Sequence, residues 1–337
     1  MALNRKAVTG VIAASLIATL AGCSSPEASQ SSETPSSAAQ GYPVTVENCD
    51  RTLTFDSPPE RVLSLWQAPT EMMLALGLGD RVLARAGDYA TYPASVATEA
   101  EGIPSIGTAM GWPDKETVLS YDADLVLGQS LVGYAFDTSM GYASVEQIEQ
   151  SGAQVYGANV CDADAGGAIE MTLETPLDAL RDLGKIFGVS DRAEELISSL
   201  EEQRQTVIDA VAGKEDVTVA FYNGGEGPLI VLAGGIYDDA ISTAGGTNLF
   251  PRDAVYVSKE EFAAAQPDVI LVGTFEGQDY ETLSDFLHQT FPELTAVQEG
   301  RLVEIPVADT DASISVMRGL TQIANGLHGL DLPVPAS

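Results

Sequence analysis

Two stretches decide the fold: ETVLSYDADLVLG at Glu116–Gly128 and EEFAAAQPDVILVG at Glu260–Gly273. In each, a glutamate opens a short helical run, an aspartate follows eight residues later (Asp124, Asp268), and an apolar strand begins at once (LVL, VIL). The copies are offset by 144 residues. A unit of helix, tight turn and buried strand, occurring twice, gives each half of the chain a similar α/β sheet.

The sequence on either side fits that reading. Before the first copy, Arg61–Trp66 (RVLSLW) and Arg81–Ala86 read as strands, with a helix at Glu71–Leu78 between them. Asp124–Gly128 and Gln154–Val160 follow as strands. Continuous apolar strands separated by helices indicate a parallel sheet covered on both faces. The alternation then stops for about 40 residues. Pro176–Phe187 and Asp191–Ala212 are helical, the latter with Ala193, Leu196, Ile197, Leu200, Val207, Ile208 and Val211 at helical spacing. Strands resume at Val217–Tyr222, Leu229–Leu232, Asp268–Val272 and Arg301–Ile305, and a last helix covers about Ser313–Leu327. The expected fold is α/β: two lobes, each a mainly parallel sheet flanked by helices, joined by a long helix, with a ligand cleft between them. The boundaries are an N-terminal lobe over 42–172, a helical segment over 173–213 and a C-terminal lobe over 214–337.

The first residues give an address. Arg5 and Lys6 precede an apolar run, Ala7–Ala21, that ends in Leu20-Ala21-Gly22-Cys23. A basic start, a short apolar run and small residues before a cut mark a secretory signal over 1–22; a spanning helix needs about 20 apolar residues. The sequence LAGC resembles the lipobox of bacterial lipoproteins, whose cysteine is acylated; the alternative is an ordinary signal peptide that carries a cysteine. Residues 24–41 contain no Leu, Ile, Val or aromatic residue and cannot build a core. Residues 23–41 read as a flexible tether, reaching roughly 23 Å on average.

Net charge is −33, and loss of Arg5 and Lys6 takes it to −35. Nucleic acid and anionic lipid both require clustered basic residues, so neither is an expected partner; solubility is the plain account of the charge. Beyond Cys23 the chain has two cysteines, Cys49 and Cys161. In an exported protein an even pair favours a disulfide, with two buried thiols as the alternative.

The chain resembles the cobalamin and iron-siderophore type of ABC-transporter solute-binding proteins. The resemblance rests on YPVTVENCDRTLTFDSPPERVLSL (Tyr42–Leu65), PTEMMLALGLGDRV (Pro69–Val82), the paired glutamate-to-strand segments and AGGTNLF (Ala244–Phe250). It implies two lobes joined by a rigid helix, with limited closure on ligand. It also implies that Glu116 and Glu260 meet arginines on the permease; read alone, they are first-turn acids favoured by the helix dipole. Near relatives carry a cysteine pair at these positions.

Catalytic and metal chemistry are not signalled. There are only two histidines, His288 and His328, against the several histidines and carboxylates of a zinc or manganese site. Both read as helix-end residues. There is no G-x-S-x-G elbow, Walker loop or H-E-x-x-H; an exported hydrolase is the alternative class. Asp311, near Asp309, reads as a cap for the last helix. The expected ligand contacts lie at the carboxyl ends of the strands: Trp66, Arg85, Tyr89, Trp112, Tyr222 and Tyr237, with Arg85 as the main positive contact. Aromatic walls and a mature total of 14 basic residues suit a neutral or cationic ferric hydroxamate, its iron caged by the chelate, with haem and cobalamin as alternatives. No cofactor of the protein's own and no metal ligand set are expected. The expected partners are the chelate, the permease and, through lipid, the membrane; the chain is expected to act as a monomer.

Overall fold

The computed structural model describes residues 41–108, 111–161, 171–275 and 277–335. The signal segment, Cys23 and the tether up to residue 40 lie outside the described residues. No helix among those described is long and apolar enough to cross a membrane.

The first lobe opens with a hairpin of β1 (Val44–Asn48) and β2 (Arg51–Phe55). Its two turn residues, Cys49 and Asp50, hold φ of 56° and 57°, the left-handed pair a type I′ turn requires. Cys49 is disulfide-bonded to Cys161, Cα atoms 5.1 Å apart, which ties the hairpin to the chain just beyond the lobe's last strand. Next come β3 (Val62–Ser64), α1 (Gln67–Ala75), β4 (Val82–Arg85), α2 (Ala97–Glu101), α3 (Lys115–Ser120), β5 (Leu125–Gly128), α4 (Val145–Gln150) and β6 (Gln154–Gly157). The strands form a parallel sheet in the order β4-β3-β5-β6.

The helical segment expected over 173–213 is two helices, α5 (Thr175–Ile186) and α6 (Ser190–Val211). Gly188, at φ 68°, separates them. The 22 residues of α6 span about 33 Å.

The second lobe holds β7 (Val217–Tyr222), β8 (Leu229–Ile230), α7 (Gly235–Thr243), β9 (Gly246–Asn248), β10 (Tyr256–Val257), α8 (Lys259–Ala265), β11 (Val269–Thr274), α9 (Tyr280–Thr290), α10 (Thr295–Gln298), β12 (Leu302–Pro306) and α11 (Val316–His328). Its parallel sheet runs β9-β7-β11-β12, the same winding as the first: second, first, third, fourth. The sequence places Leu229–Leu232 in this alternation, and here the structure differs. Gly224 and Gly225, at φ 94° and 81°, turn the chain straight back after β7. β8 therefore returns antiparallel and pairs with β10, because a parallel neighbour needs a longer crossover. The second place in the sheet goes to β9, inside AGGTNLF.

The repeat that betrays this symmetry has a structural job. Asp124 Oδ2 accepts from the backbone N–H groups of Glu60 and Arg61, at 2.9 and 3.0 Å, as the chain enters β3. Asp268 Oδ2 accepts from Thr218 N at 2.9 Å at the start of β7. Each aspartate latches its lobe's first strand to its third.

Strand alternation sorts the side chains into three cores. Val62, Leu125 and Leu127 of the first sheet and Val219, Phe221 and Leu271 of the second belong to one continuous core, shared with α1, α5, α6 and α11. The opposite faces pack separately, Leu63, Val126 and Val155 in one lobe and Ala220, Tyr222, Ile270 and Val272 in the other. Because the lobes share a close-packed middle layer, moving them far apart would mean disrupting core contacts.

Candidate functional site

The carboxyl ends of the first sheet carry the rings. Trp66 ends β3's extension and caps α1, where its extended backbone (φ −155°) starts the helix. Its ring centroid lies 5.0 Å from Tyr89, 6.0 Å from Trp112 in a stacked pair, and 5.5 Å from Tyr134. Tyr142 packs edge-on against Trp112 at 5.9 Å. The cluster is anchored from below. Trp112 Nε1 donates to Leu65 O at 2.8 Å, and Gln67 Oε1 accepts from the backbone of Tyr89 and Ala90, each at 2.9 Å. Gly87 makes the close packing possible: at φ 72°, a Cβ there would come within 2.8 Å of Leu65 O and 2.9 Å of Trp112 Nε1.

The second lobe contributes one carboxylate. Asp311, in the loop between β12 and α11, accepts hydrogen bonds through Oδ2 from the Tyr89 hydroxyl and from Trp66 Nε1 at 3.3 Å. Its Oδ1 accepts from Ala312 N at 2.8 Å, and Asn159 Nδ2 lies at 3.5 Å. Asp311 is not the cap of the last helix: Ser315 holds that position, without a side-chain cap. Burial raises the Asp311 carboxyl above the usual carboxylate range, with Tyr89, Ala312 and Trp66 opposing the shift. The loop sits this deep because Gly319 of α11 lets it approach; a Cβ there would collide with Asp309 O. Asp309 pairs with Arg318 at 2.9 Å.

Beneath Asp311 lies Glu71 of α1, 2% exposed, hydrogen-bonded to Gln67 Nε2 at 2.9 Å. Burial pushes Glu71 up to about 8; hydrogen bonds from Gln67 and Ser313 oppose this, while Asp311 and Asp309 add to it. Asn159 Oδ1 is buried with no hydrogen-bond partner.

The structure brings Trp66, Tyr89 and Trp112 into one cluster. Tyr237 of α7 packs its ring edge-on to Phe221 at 6.0 Å, and the Asp311 charge, second to burial, raises its hydroxyl. Two expected contacts lie elsewhere. Arg85 is committed within its own lobe: its guanidinium pairs with Asp88, donates to Ala100 O at 3.1 Å and sits 5.1 Å above the Tyr92 ring. Tyr222 points to the other side of β7. It packs with Phe262 and Phe286, and its hydroxyl donates to Gly225 O at 3.0 Å. Side chains alternate along a strand, so Phe221 faces the shared core and Tyr222 the outer one. Sequence reading missed Tyr134, Tyr142, Asn159 and the true place of Asp311. Three of the four lie in loops after strands of the first sheet, the position from which the other contacts were chosen.

Glu116 and Glu260 are both exposed, each at the second residue of its helix (α3, α8). Asp114 caps the first helix and Ser258 the second. His328 Nε2 lies 3.0 Å from Ala244 O at the end of α11, and His288 is in the last turn of α9. No cluster of three or more metal-ligating side chains occurs among the described residues.

Rings from one lobe meet a buried carboxylate from the other, the kind of apolar surface with a few polar groups on which small molecules are held. Two α/β lobes meeting at the carboxyl ends of their sheets are the architecture of a solute-binding protein. The profile of the periplasmic binding protein family matches residues 62–308, and the chain belongs to that family, whose members are extracytoplasmic solute-binding proteins of ABC transporters and not enzymes. The chain is 23% identical over 331 residues to the ABC transporter substrate-binding lipoprotein YvrC of Bacillus subtilis, covering 95% of this chain and 96% of that one. It is 24% identical over 219 residues to the vitamin B12-binding protein of Vibrio campbellii, 64% of this chain and 71% of that one. Among solved structures, that of an ABC-type Fe3+-hydroxamate transport system from Saccharomonospora viridis superposes with a TM-score of 0.68 at 25% identity, covering 85% of this chain and 99% of that one.

Proposed function

We propose that this protein, tethered through an acylated Cys23 to the outer face of the cell membrane, captures a bulky neutral or cationic metal chelate. It hands the chelate to an ABC permease that meets Glu116 and Glu260. The observation that carries this reading is the Asp311 arrangement: an aromatic wall on one lobe closed by a buried carboxylate from the other. A ligand seated there meets flat apolar faces and acceptors, so it is favoured if it brings N–H or O–H donors or positive charge. An anionic ligand, such as a triscatecholate chelate or a haem with its propionates, would face Asp311, while Arg85 and Arg318 are both paired with acids.

A ferric hydroxamate fits, and the similarity to the hydroxamate transport protein supports it. A corrinoid is the second reading. Its rim of carboxamides would present donors to Asp311 and Asn159, and a relative named as binding vitamin B12 favours it. The chain's only tryptophans, Trp66 and Trp112, are both in the cluster, so their emission reports the site directly. Titration with ferric hydroxamates, cobalamin and haem should quench it for one of the first two and not for haem. Tight haem binding alone would overturn the reading. Trp66→Ala with Trp112→Ala should cost about 1–2 kcal/mol per ring, read by calorimetry. Separately, Cys23→Ser should abolish membrane attachment.

A further inference from the structure

The two glutamates are not alone at their lobe tips. Both are preceded by lysine, Lys115 and Lys259, at the same 144-residue offset. The chain has only five lysines, the others being Lys6, Lys185 and Lys214. In a protein of net charge −33, two of these few cations occupy equivalent places beside equivalent acids.

An exposed apolar residue also lies near each doublet, although the two are not equivalent in sequence: Met140 follows Lys115 by 25 residues and Tyr256 precedes Lys259 by three. Among the described residues, the two most exposed large hydrophobic side chains are Met140, at 66%, and Tyr256, at 65%. Met140 adjoins the first doublet, since Lys115 N donates to Gly141 O at 3.2 Å. Tyr256 stands in β10, two residues before the Ser258 cap that leads into Lys259 and Glu260. The Lys259 ammonium lies 5.3 Å above the Phe286 ring. Side chains this exposed add little to the core, and each lies near enough to its doublet to belong to the same contact surface.

Both doublets lie toward the carboxyl edges of their sheets. α3 leads into the start of β5 and α8 into the start of β11, so each helix begins toward the carboxyl edge of its parallel sheet. Those edges face each other, because Asp311, beyond the end of β12, meets Trp66 and Tyr89 beyond the ends of β3 and β4.

We infer that each lobe docks on the permease through a composite patch, Lys115, Glu116 and Met140 on one lobe and Lys259, Glu260 and Tyr256 on the other. This rests on the docking role of the glutamates proposed above and adds what surrounds them. The partner surface is then approximately two-fold, each half offering a base, an acid and an apolar contact. The logic is one of register. An almost wholly acidic protein is attracted to any basic surface, whereas a dipolar doublet beside an apolar anchor fits only where charge of both signs alternates correctly.

The test uses the full-length protein with its ABC transporter reconstituted in liposomes, measuring transporter affinity, ligand affinity and melting temperature. Three paired variants are compared: Met140→Ser with Tyr256→Ser, Lys115→Ala with Lys259→Ala, and Glu116→Ala with Glu260→Ala. Each pair should weaken docking by about tenfold or more, with ligand affinity and melting temperature unchanged. If only the glutamate pair weakens docking, the composite patch is overturned while glutamate docking stands. If the glutamate pair also docks normally, the docking reading itself fails. Loss confined to ligand affinity would place the Met140 and Tyr256 side chains in the ligand site and overturn the inference.

Discussion

The two lobes share one winding order, one aspartate latch and one Lys–Glu doublet, yet they use their aromatic residues in opposite ways. The first lobe sets Trp66, Tyr89, Trp112, Tyr134 and Tyr142 at the ends of its strands, ring against ring. The second keeps Tyr222, Phe250, Phe262, Phe286 and Phe291 in mutual contact within its own outer core. Toward the first lobe's rings it offers a carboxylate, Asp311. On the function proposed above, duplicate scaffolds divide the labour: one lobe supplies an apolar wall and the other the carboxylate that meets it. Aromatic content alone does not locate a binding face; what matters is which side of the sheet it covers.

Substitutions in the two clusters should therefore separate stability from binding. The largest effect is expected from Phe262→Ala, which empties the centre of the second lobe's ring cluster. Chemical denaturation should show a loss of about 3–5 kcal/mol, while the folded fraction binds ligand as before. A large fall in affinity at preserved stability would break the distinction between the lobes.

Next in size is a pH effect at the interface. Glu71 lies beside Gln67, Ser313, Asp309 and Asp311, and burial pushes it up to about 8. A carboxyl whose folded pKa is raised favours the folded state fully below its unfolded value, near 4.5, and that contribution is lost as pH rises towards 8. Stability should drop by about 2–4 kcal/mol across that window. Glu71→Gln should flatten the profile of melting temperature against pH; an unchanged slope would mean that Glu71 is ionised in the folded protein.

Asp311→Asn tests the lock itself. It keeps the shape and removes the charge from the acceptor shared by Tyr89 and Trp66. Ligand affinity should fall by about 1.5–3 kcal/mol if the ligand presents a charged donor, and calorimetry would read it. Tyr222→Phe should have the smallest effect. Loss of the bond to Gly225 O should cost about 0.5–1.5 kcal/mol of stability and leave affinity alone. A tenfold loss of affinity would return Tyr222 to the binding face.

Much of this was legible from local pattern. The eight-residue spacing from glutamate to aspartate, the continuous apolar strands and the long helical interval define two α/β lobes, because periodicity and turn chemistry act over a few residues. The strand read at Leu229–Leu232 forms, but outside the parallel sheet, for an equally local reason: a turn at Gly224 and Gly225 reverses the chain. The clustering of Trp66, Tyr89 and Trp112 was recoverable because all three follow strands of one parallel sheet, whose carboxyl ends come together.

The rest depended on partners far away in sequence. Alternation in β7 shows that Phe221 and Tyr222 face opposite ways, but not which face meets the shared helices; packing decides that. Asp311 looked like a helix cap because a cap is a local motif, whereas its actual donors, Tyr89 and Trp66, are 222 and 245 residues away. The sequence by itself determined the two lobes and their repeat, through short-range periodicity. Only the tertiary structure decided which aromatic cluster gathers between the lobes and which carboxylate meets it, because burial and hydrogen bonding there come from chain segments that folding alone brings together.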